Sequence, residues 1–150
     1  MHVEIKGLEK LRSVLAEAPD NIRTGFDKAI GEVAELIRFT ARGFIRSRTG
    51  NLASSGYVTH TGLVQYEVGF SAPYAKFVEE NTSPHMIYPR RMGGVLRFEV
   101  GNEVVFSRYV FHPGTTGQHF LGRASEYSKE TLLSTIKDQI KTWLHWSETG

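Results

Sequence analysis

Residues 20–47 read DNIRTGFDKAIGEVAELIRFTARGFIRS and carry one continuous helical pattern. The apolar side chains recur every three or four residues, at Ile22, Phe26, Ile30, Val33, Ile37, Ala41 and Phe44. This spacing places them on one stripe of an α-helix, with Asp20 as a suitable N-cap. Gly25, Gly31 and Gly43 each weaken a helix by about 1 kcal/mol relative to alanine. We therefore expect a close neighbour where glycine is kept.

The segments around this helix predict the rest of the fold. A second long helix is expected over residues 118–146, and a short one precedes the first. Residues 64–70 alternate apolar and polar side chains, which is typical of a half-buried strand, and the runs 95–100 and 103–106 are expected to form a β-hairpin. The sequence therefore predicts an α+β fold, in which a small antiparallel β-sheet packs against two long α-helices, residues 20–47 and 118–146, with a short N-terminal helix.

Several residues that favour turns lie between the predicted strands. Gly101-Asn102 lies between two strand-like runs, 95–100 and 103–106, and predicts a tight hairpin, because primed turns need positive φ. Pro113-Gly114 fits the central positions of a type II turn. Residues 81–94 hold two prolines, two glycines and Arg90-Arg91, and we interpret them as a loop. This loop is too long for a minimal connector, so it is either an assembly arm or a mobile loop. Four aromatic residues in strand patterns are expected in the core: Tyr57, Tyr66, Phe98 and Phe106.

Length and composition limit the classes of protein. The chain has 150 residues, of which 40% are hydrophobic and 23% charged, so we expect one domain over residues 1–150. The net charge of +2 dictates no strongly charged partner. The chain has no cysteine, which excludes disulfides, thiolate metal sites and cysteine catalysis. No apolar run approaches the length of a membrane span, and we expect no membrane contact.

Motifs for chemistry are missing from the sequence. There is no GxSxG elbow, no GxxxxGK[ST] phosphate loop and no HExxH spacing among the six histidines. A hydrolase built on two carboxylates rests on no motif, since any two acids can meet in space. We therefore predict that the protein is not an enzyme and that it has no catalytic residues, no cofactor and no metal site.

The strongest charge feature lies at the end of the first long helix. Residues 36–48 contain no acid and four arginines: Arg38, Arg42, Arg46 and Arg48. The first three are spaced i, i+4 and i+8, which predicts one helical face. This face could contact the phosphates of nucleic acid. Alternatively, the arginines interact with the helix dipole, by about 0.3–1 kcal/mol each, or pair with acids of a neighbouring subunit.

Four segments, taken in order, resemble a family of phage proteins. They are Thr49-Gly50-Asn51-Leu52-Ala53-Ser54-Ser55, then Val68-Gly69-Phe70 with Pro73-Tyr74-Ala75-Lys76-Phe77-Val78-Glu79, then the hairpin at 95–106, and finally His112-Pro113-Gly114-Thr115 with Phe120-Leu121-Gly122-Arg123-Ala124. This order resembles the tail-completion proteins of long-tailed phages, also known as neck, head–tail joining or minor tail-component proteins. Asn81 replaces a glycine common there, and His119 replaces a proline, which affects only the local loop shape.

The resemblance implies a structural virion protein without known chemistry. Such proteins form a ring, commonly six-fold, between the head connector and the tail terminator or tail tube, after assembly in the host cytoplasm. A ring needs two different complementary patches on each chain. We expect the assembly or DNA-facing residues to be Arg38, Arg42, Arg46 and Arg48, the acids Glu79 and Glu80, and the arm residues Arg90 and Arg91. The alternative is a small nucleic-acid-binding protein that uses the arginine face.

Overall fold

The computed structural model describes residues 2–4, 9–46 and 50–149. The chain divides into two compact units. We call residues 1–79 with 118–150 the helical unit, and residues 80–117 the ribbon unit. The α+β class is confirmed. The single domain predicted for residues 1–150 stays a prediction.

The described helices and strands divide between the two units. The helical unit contains β1 (His2–Glu4), α1 (Glu9–Ala16), α2 (Asp20–Phe44), α3 (Asn51–Ser54), β2 (Gly56–Gly62), β3 (Gln65–Phe70), α4 (Ala75–Glu79) and α5 (Phe120–Thr149). The ribbon unit contains β4 (His85–Ile87), β5 (Leu96–Val100), β6 (Glu103–Ser107) and β7 (Val110–His112).

Four predictions about these elements are wrong in detail. The first long helix ends at Phe44 instead of residue 47, and its N-cap is Pro19, with no side-chain hydrogen bond from Asp20. Instead of one sheet, the described strands form three antiparallel sheets, β1-β3-β2, β4-β7 and β5-β6. The expected loop at 81–94 contains β4, because His85–Ile87 pairs with a strand more than twenty residues later, which no local pattern indicates.

The core of the helical unit lies between α2, α5 and the β1-β3-β2 sheet. Helix α2 buries the predicted stripe, including Phe26, Ile30 and Ile37. The fully buried rings of Phe70 and Phe120 meet edge to face, with centroids 5.0 Å apart. Burying one such side chain stabilises the fold by about 1.5–3 kcal/mol. The apolar periodicity of α2 is therefore the physical origin of this core.

Two of the three glycines in α2 have the close neighbour that the sequence predicts. A Cβ added at Gly25 would lie 3.3 Å from Oε1 of Gln139. A Cβ added at Gly31 would lie 2.9 Å from both Cζ and the hydroxyl oxygen of Tyr66. Gly43 has nothing within 4 Å of its added Cβ, and no packing explains it. The glycine at position 31 thus lets α2 approach β3 closely.

The β2–β3 turn is held by a side chain of α2. Val64 has φ 48°, in the left-handed region that a β-branched residue rarely occupies. Its side chain is only 3% exposed and packs with Phe26 and Ile30. Its backbone N–H donates to Oδ1 of Asp27 over 2.7 Å. Core burial and this hydrogen bond together offset the backbone strain.

Two tyrosines of the sheet make stability depend on alkaline pH. Tyr57 donates to Glu67 over 2.7 Å, which, with burial, raises the pKa of Tyr57 above its usual 10.0. Burial and the Asp27 carboxylate raise the pKa of Tyr66 in the same way.

We expect the free energy of unfolding to fall as pH rises above about 10. The unfolded chain then loses these phenolic protons first, whereas the folded chain keeps them. Tyr57→Phe and Tyr66→Phe should each reduce this fall, as measured by urea unfolding at about pH 9 and about pH 11. An unchanged difference between the two pH values in both variants would contradict the assignment.

The ribbon unit consists of two antiparallel two-stranded ribbons. Gly101 takes φ 62° in the tight turn predicted between β5 and β6. Gly114 takes φ 85°, as a type II turn requires, and a Cβ added there would collide with the Thr82 carbonyl oxygen. None of residues 80–117 is buried, and Phe106 is 61% exposed. The expectation of a core position is therefore wrong for Phe106.

Candidate assembly surface

The predicted arginine face is shorter than expected. Because α2 ends at Phe44, Arg46 lies beyond the helix and does not continue a face with Arg38 and Arg42. Arg38 donates from Nε to Oε2 of Glu35 over 2.8 Å, so its charge is already paired. Arg42 lies in the last turn, where the helix dipole favours a cation. Arg48 falls outside the described residues.

The start of α5 adds to this surface. Gln118 holds the backbone of Arg46 from both sides: Arg46 N–H donates to its Oε1 over 2.8 Å, and its Nε2 donates to the Arg46 carbonyl over 3.2 Å. The guanidinium of Arg123 lies 4.3 Å from the centroid of the Phe44 ring, in a cation–π contact. The structure thus brings Arg123 to the segment that contains Arg42 and Arg46.

These three arginines, Arg42, Arg46 and Arg123, form what we call the basic surface. All three are exposed, and no ion pair links them to an acid among the residues described. Guanidinium groups hydrogen-bond carboxylates and phosphates in a planar, bidentate way. The surface can therefore receive either the acids of a protein partner or a phosphate backbone.

Glu79 does not belong to an acidic surface, and that part of the prediction is wrong. Its side chain is 8% exposed and accepts hydrogen bonds from the N–H groups of Leu121 and Gly122, over 3.0 and 2.9 Å. These are free donors at the start of α5, which a carboxylate satisfies well. His119, where resembling proteins carry proline, takes φ 49° before this helix, far from the value that a proline ring allows.

The other predicted residues lie in the ribbon unit. Glu80, Arg90 and Arg91 are all exposed. Large apolar side chains are exposed in the same unit, among them Tyr109, Phe111 and a fully exposed Met92. Sequence reasoning missed this feature, because an alternating strand pattern indicates two faces without indicating that neither is covered.

The histidines of this unit are held by backbone contacts. His85 and His112 stack with ring centroids 5.1 Å apart. Nδ1 of His85 lies 2.9 Å from the Ser83 carbonyl oxygen, and Nδ1 of His112 accepts from the Gly114 N–H. Within residues 2–4, 9–46 and 50–149, no group of three or more potential ligands is arranged to hold a metal ion. No helix among all these described residues is long and apolar enough to cross a membrane.

The fold and these surfaces define a class, namely small α+β proteins that expose basic and large apolar side chains. The chain belongs to the HK97-gp10-like family: residues 5–80 match the family model described as "Bacteriophage HK97-gp10, putative tail-component". The resemblance to phage tail proteins is thereby confirmed, and with it a structural role in the virion. No curated protein and no solved structure matches the chain significantly.

Proposed function

We propose that this protein is a subunit of a phage neck ring that joins the tail to the head connector. The ring is homo-oligomeric, with six copies, and it contacts the tail terminator or tail tube on one side and the connector on the other. The subunit assembles in the host cytoplasm and acts by docking, without catalysis or cofactor. The position at the neck is supported by the order of the four resembling segments.

The docking role is supported above all by the solvent exposure of residues 80–117. All of them are described, none is buried, and large apolar side chains among them are exposed. Isolated two-stranded ribbons are marginally stable in water, and contiguous exposed apolar patches mark interaction sites. A unit of this kind is expected in a protein that completes its packing within a larger particle.

The proposal is tested by removing the gene from a phage that encodes this chain. Full heads and complete tails should then accumulate separately in electron micrographs, and the wild-type gene supplied in trans should restore joined particles. Antibody against the chain should label the head–tail junction. Joined, infectious particles formed without the gene would overturn the neck assignment.

The basic surface gives a more local prediction. Arg42→Glu should block ring or neck assembly without unfolding the chain, because Arg42 is exposed and has no acid partner among the described residues. Arg12→Glu is a matched control, since Arg12 is exposed on α1 and belongs to neither the basic surface nor the ribbon unit. The readouts are particle joining in complementation and circular dichroism of the purified variant. Normal joining with Arg42→Glu would contradict an assembly role for this surface.

The alternative function is nucleic-acid binding, which the three arginines of the basic surface favour. Three phosphate contacts predict that DNA affinity falls about fortyfold between about 50 and 200 mM salt. The triple variant with Arg42→Gln, Arg46→Gln and Arg123→Gln should abolish this salt dependence of DNA affinity. Arg23→Gln, the control, should preserve it. Fluorescence anisotropy with duplex DNA distinguishes the alternatives, because an assembly protein should bind DNA weakly at every salt concentration.

A further inference from the structure

The outward side of α2 carries an exposed aromatic ring, an exposed cation and an exposed glycine in its last two turns. Phe39, Arg42 and Gly43 are spaced i, i+3 and i+4, so they lie on one face of the helix. The Phe39 side chain is 70% exposed. Arg38 in the same turns is paired with Glu35, whereas Arg42 has no ion pair among the described residues. We call Phe39, Arg42 and Gly43 the outer α2 face.

Gly43 is the one glycine of α2 that no contact among the described residues explains. Gly25 lies against Gln139, and Gly31 lies against Tyr66, whereas a Cβ added at Gly43 would have no neighbour within 4 Å. A glycine inside a helix is less stable than an alanine, and it is useful where another surface must come close to the backbone. Because the other two glycines mark such close approaches, Gly43 indicates an approach by a surface outside the chain.

A groove of about 660 Å³ runs along the exposed side of α5. The described residues that line it are Glu126, Tyr127, Lys129, Glu130, Thr131 and Leu133. Tyr127 is 69% and Leu133 51% exposed, so part of the lining is uncovered apolar surface. Glu126 lies 3.5 Å from Lys129, whereas Glu130 has no ion pair within the described part of the chain. We call this surface the α5 groove.

The outer α2 face and the α5 groove are complementary in shape and in charge. The groove has the volume of an ordinary protein pocket, about 300–1,000 Å³, and can receive an aromatic ring such as that of Phe39. The face carries one unpaired cation, Arg42, and the groove carries one unpaired anion, Glu130. A guanidinium and a carboxylate form a strong bidentate pair. A second copy of the chain therefore supplies both the acid and the cover that the outer α2 face lacks.

We propose that the outer α2 face of one copy docks in the α5 groove of the next. Phe39 then lies in the groove, Arg42 pairs with Glu130, and Gly43 lets the neighbouring α5 approach the backbone of α2. The two surfaces share no residue, so each copy offers one to the copy before it and the other to the copy after it, as a ring requires. The inference rests on the proposed function and deepens it by naming the partner of Arg42.

A photo-reactive residue in place of Phe39 identifies the partner directly. p-Azidophenylalanine keeps the aromatic shape and is introduced at position 39 in cells that produce the phage. Irradiation should give a cross-linked product of two chains, and mass spectrometry should locate the link within residues 126–133. The same photo-reactive residue at Val14, which is exposed on α1, is the control and should give no such link.

Other cross-linking results would overturn the proposal. These are a link from position 39 to a different protein, to nucleic acid or to another segment of the chain, and the absence of any link. Cross-linking is scored whether or not heads and tails join, so failure of this interface and failure of the neck assignment remain distinguishable.

Charge exchange tests the proposed ion pair. Arg42→Glu or Glu130→Arg alone should lower the yield of this cross-link about tenfold, because each places like charges together. The double variant Arg42→Glu with Glu130→Arg restores the pair in reversed order and should recover the yield. Arg42→Glu with Glu17→Arg has the same net charge, but Glu17 is exposed outside the groove, so this control should not recover. A double variant at positions 42 and 130 that stays as low as the single variants would contradict the pairing.

Gly43→Leu separates docking from folding. An added side chain meets open space in the described chain, and leucine favours a helix more than glycine does, so the melting temperature of the isolated variant should rise. The cross-link from position 39 should nevertheless be lost, because leucine fills the space that the neighbouring copy needs. An unchanged cross-link yield in Gly43→Leu would overturn the close approach at this position.

Discussion

Replacing Glu79 by alanine should lower the free energy of unfolding by about 3 kcal/mol. The carboxylate accepts two N–H groups at the start of α5, from Leu121 and Gly122. Leu121 is fully buried, so no water can replace the lost acceptor there. The same junction contains the hydrogen bonds from Gln118 N–H to the Val78 carbonyl and from His119 N–H to the Glu79 carbonyl. The start of α5 is therefore held by the end of α4.

The measurement is urea unfolding followed by circular dichroism. Glu79→Gln should fall between wild type and alanine, since its amide keeps one acceptor oxygen. Glu80→Gln is the adjacent control and should change stability by less than about 0.5 kcal/mol, because Glu80 is exposed. Equal losses of stability in Glu79→Ala and Glu80→Gln would contradict a stabilising role for the Glu79 cap of α5.

This cap also positions part of the basic surface. Gln118 and Arg123 lie on either side of the residues that Glu79 binds. Gln118 holds the Arg46 backbone, and Arg123 lies over the Phe44 ring. We therefore expect Glu79→Ala to weaken assembly through misplacement of these groups, even at temperatures where the chain remains folded.

Periodicity and turn chemistry account for the parts of the fold that the sequence predicts well. The stripe of α2 follows from apolar spacing alone, because a helix repeats every 3.6 residues. Gly101 and Gly114 take the positive φ that their local patterns require. These are local properties, in which each residue's own backbone preference and its near neighbours decide the structure.

Long-range partners account for what the sequence does not predict. In the sequence, the adjacent Glu79 and Glu80 indicate a charged surface. In the structure, Glu79 instead caps a helix some forty residues later in the chain. The pairing of β4 with β7 and the contact of Arg123 with Phe44 are equally non-local. Phe106 resembles a core residue because an apolar, strand-like run is the same in sequence whether or not another surface covers it.

The candidate assembly surface likewise depends partly on local sequence and partly on long-range contacts. The excess of arginine over residues 36–48 is visible in the sequence, but which arginines are unpaired depends on where α2 ends and on Glu35. The family match stops at residue 80, where the ribbon unit begins. The ribbon unit, whose exposed side chains support the docking role, therefore lies almost entirely beyond the matched residues.

Replacing Asp27 by alanine should lower the free energy of unfolding by about 2–3 kcal/mol. Besides the Val64 N–H, the carboxylate accepts from the Tyr66 hydroxyl over 3.2 Å and lies 3.1 Å from Nε2 of His60. The alanine leaves a buried turn N–H without an acceptor at a residue whose backbone is already strained. Three hydrogen-bonding groups of β2, β3 and their turn thus converge on one side chain of α2.

Further variants separate the contribution of the Asp27 hydrogen bonds from that of the exposed ion pair between Asp27 and His60. Asp27→Asn keeps an oxygen for the Val64 N–H and an amide near the Tyr66 hydroxyl, so it should recover most of the stability lost in the alanine variant. His60→Ala should cost less than about 1 kcal/mol, because the histidine side chain is 52% exposed and exposed pairs contribute little. Urea unfolding of the three variants decides between these contributions. If His60→Ala were as destabilising as Asp27→Ala, the ion pair, and not the support of the strained Val64 turn, would be what holds β2 and β3 to α2.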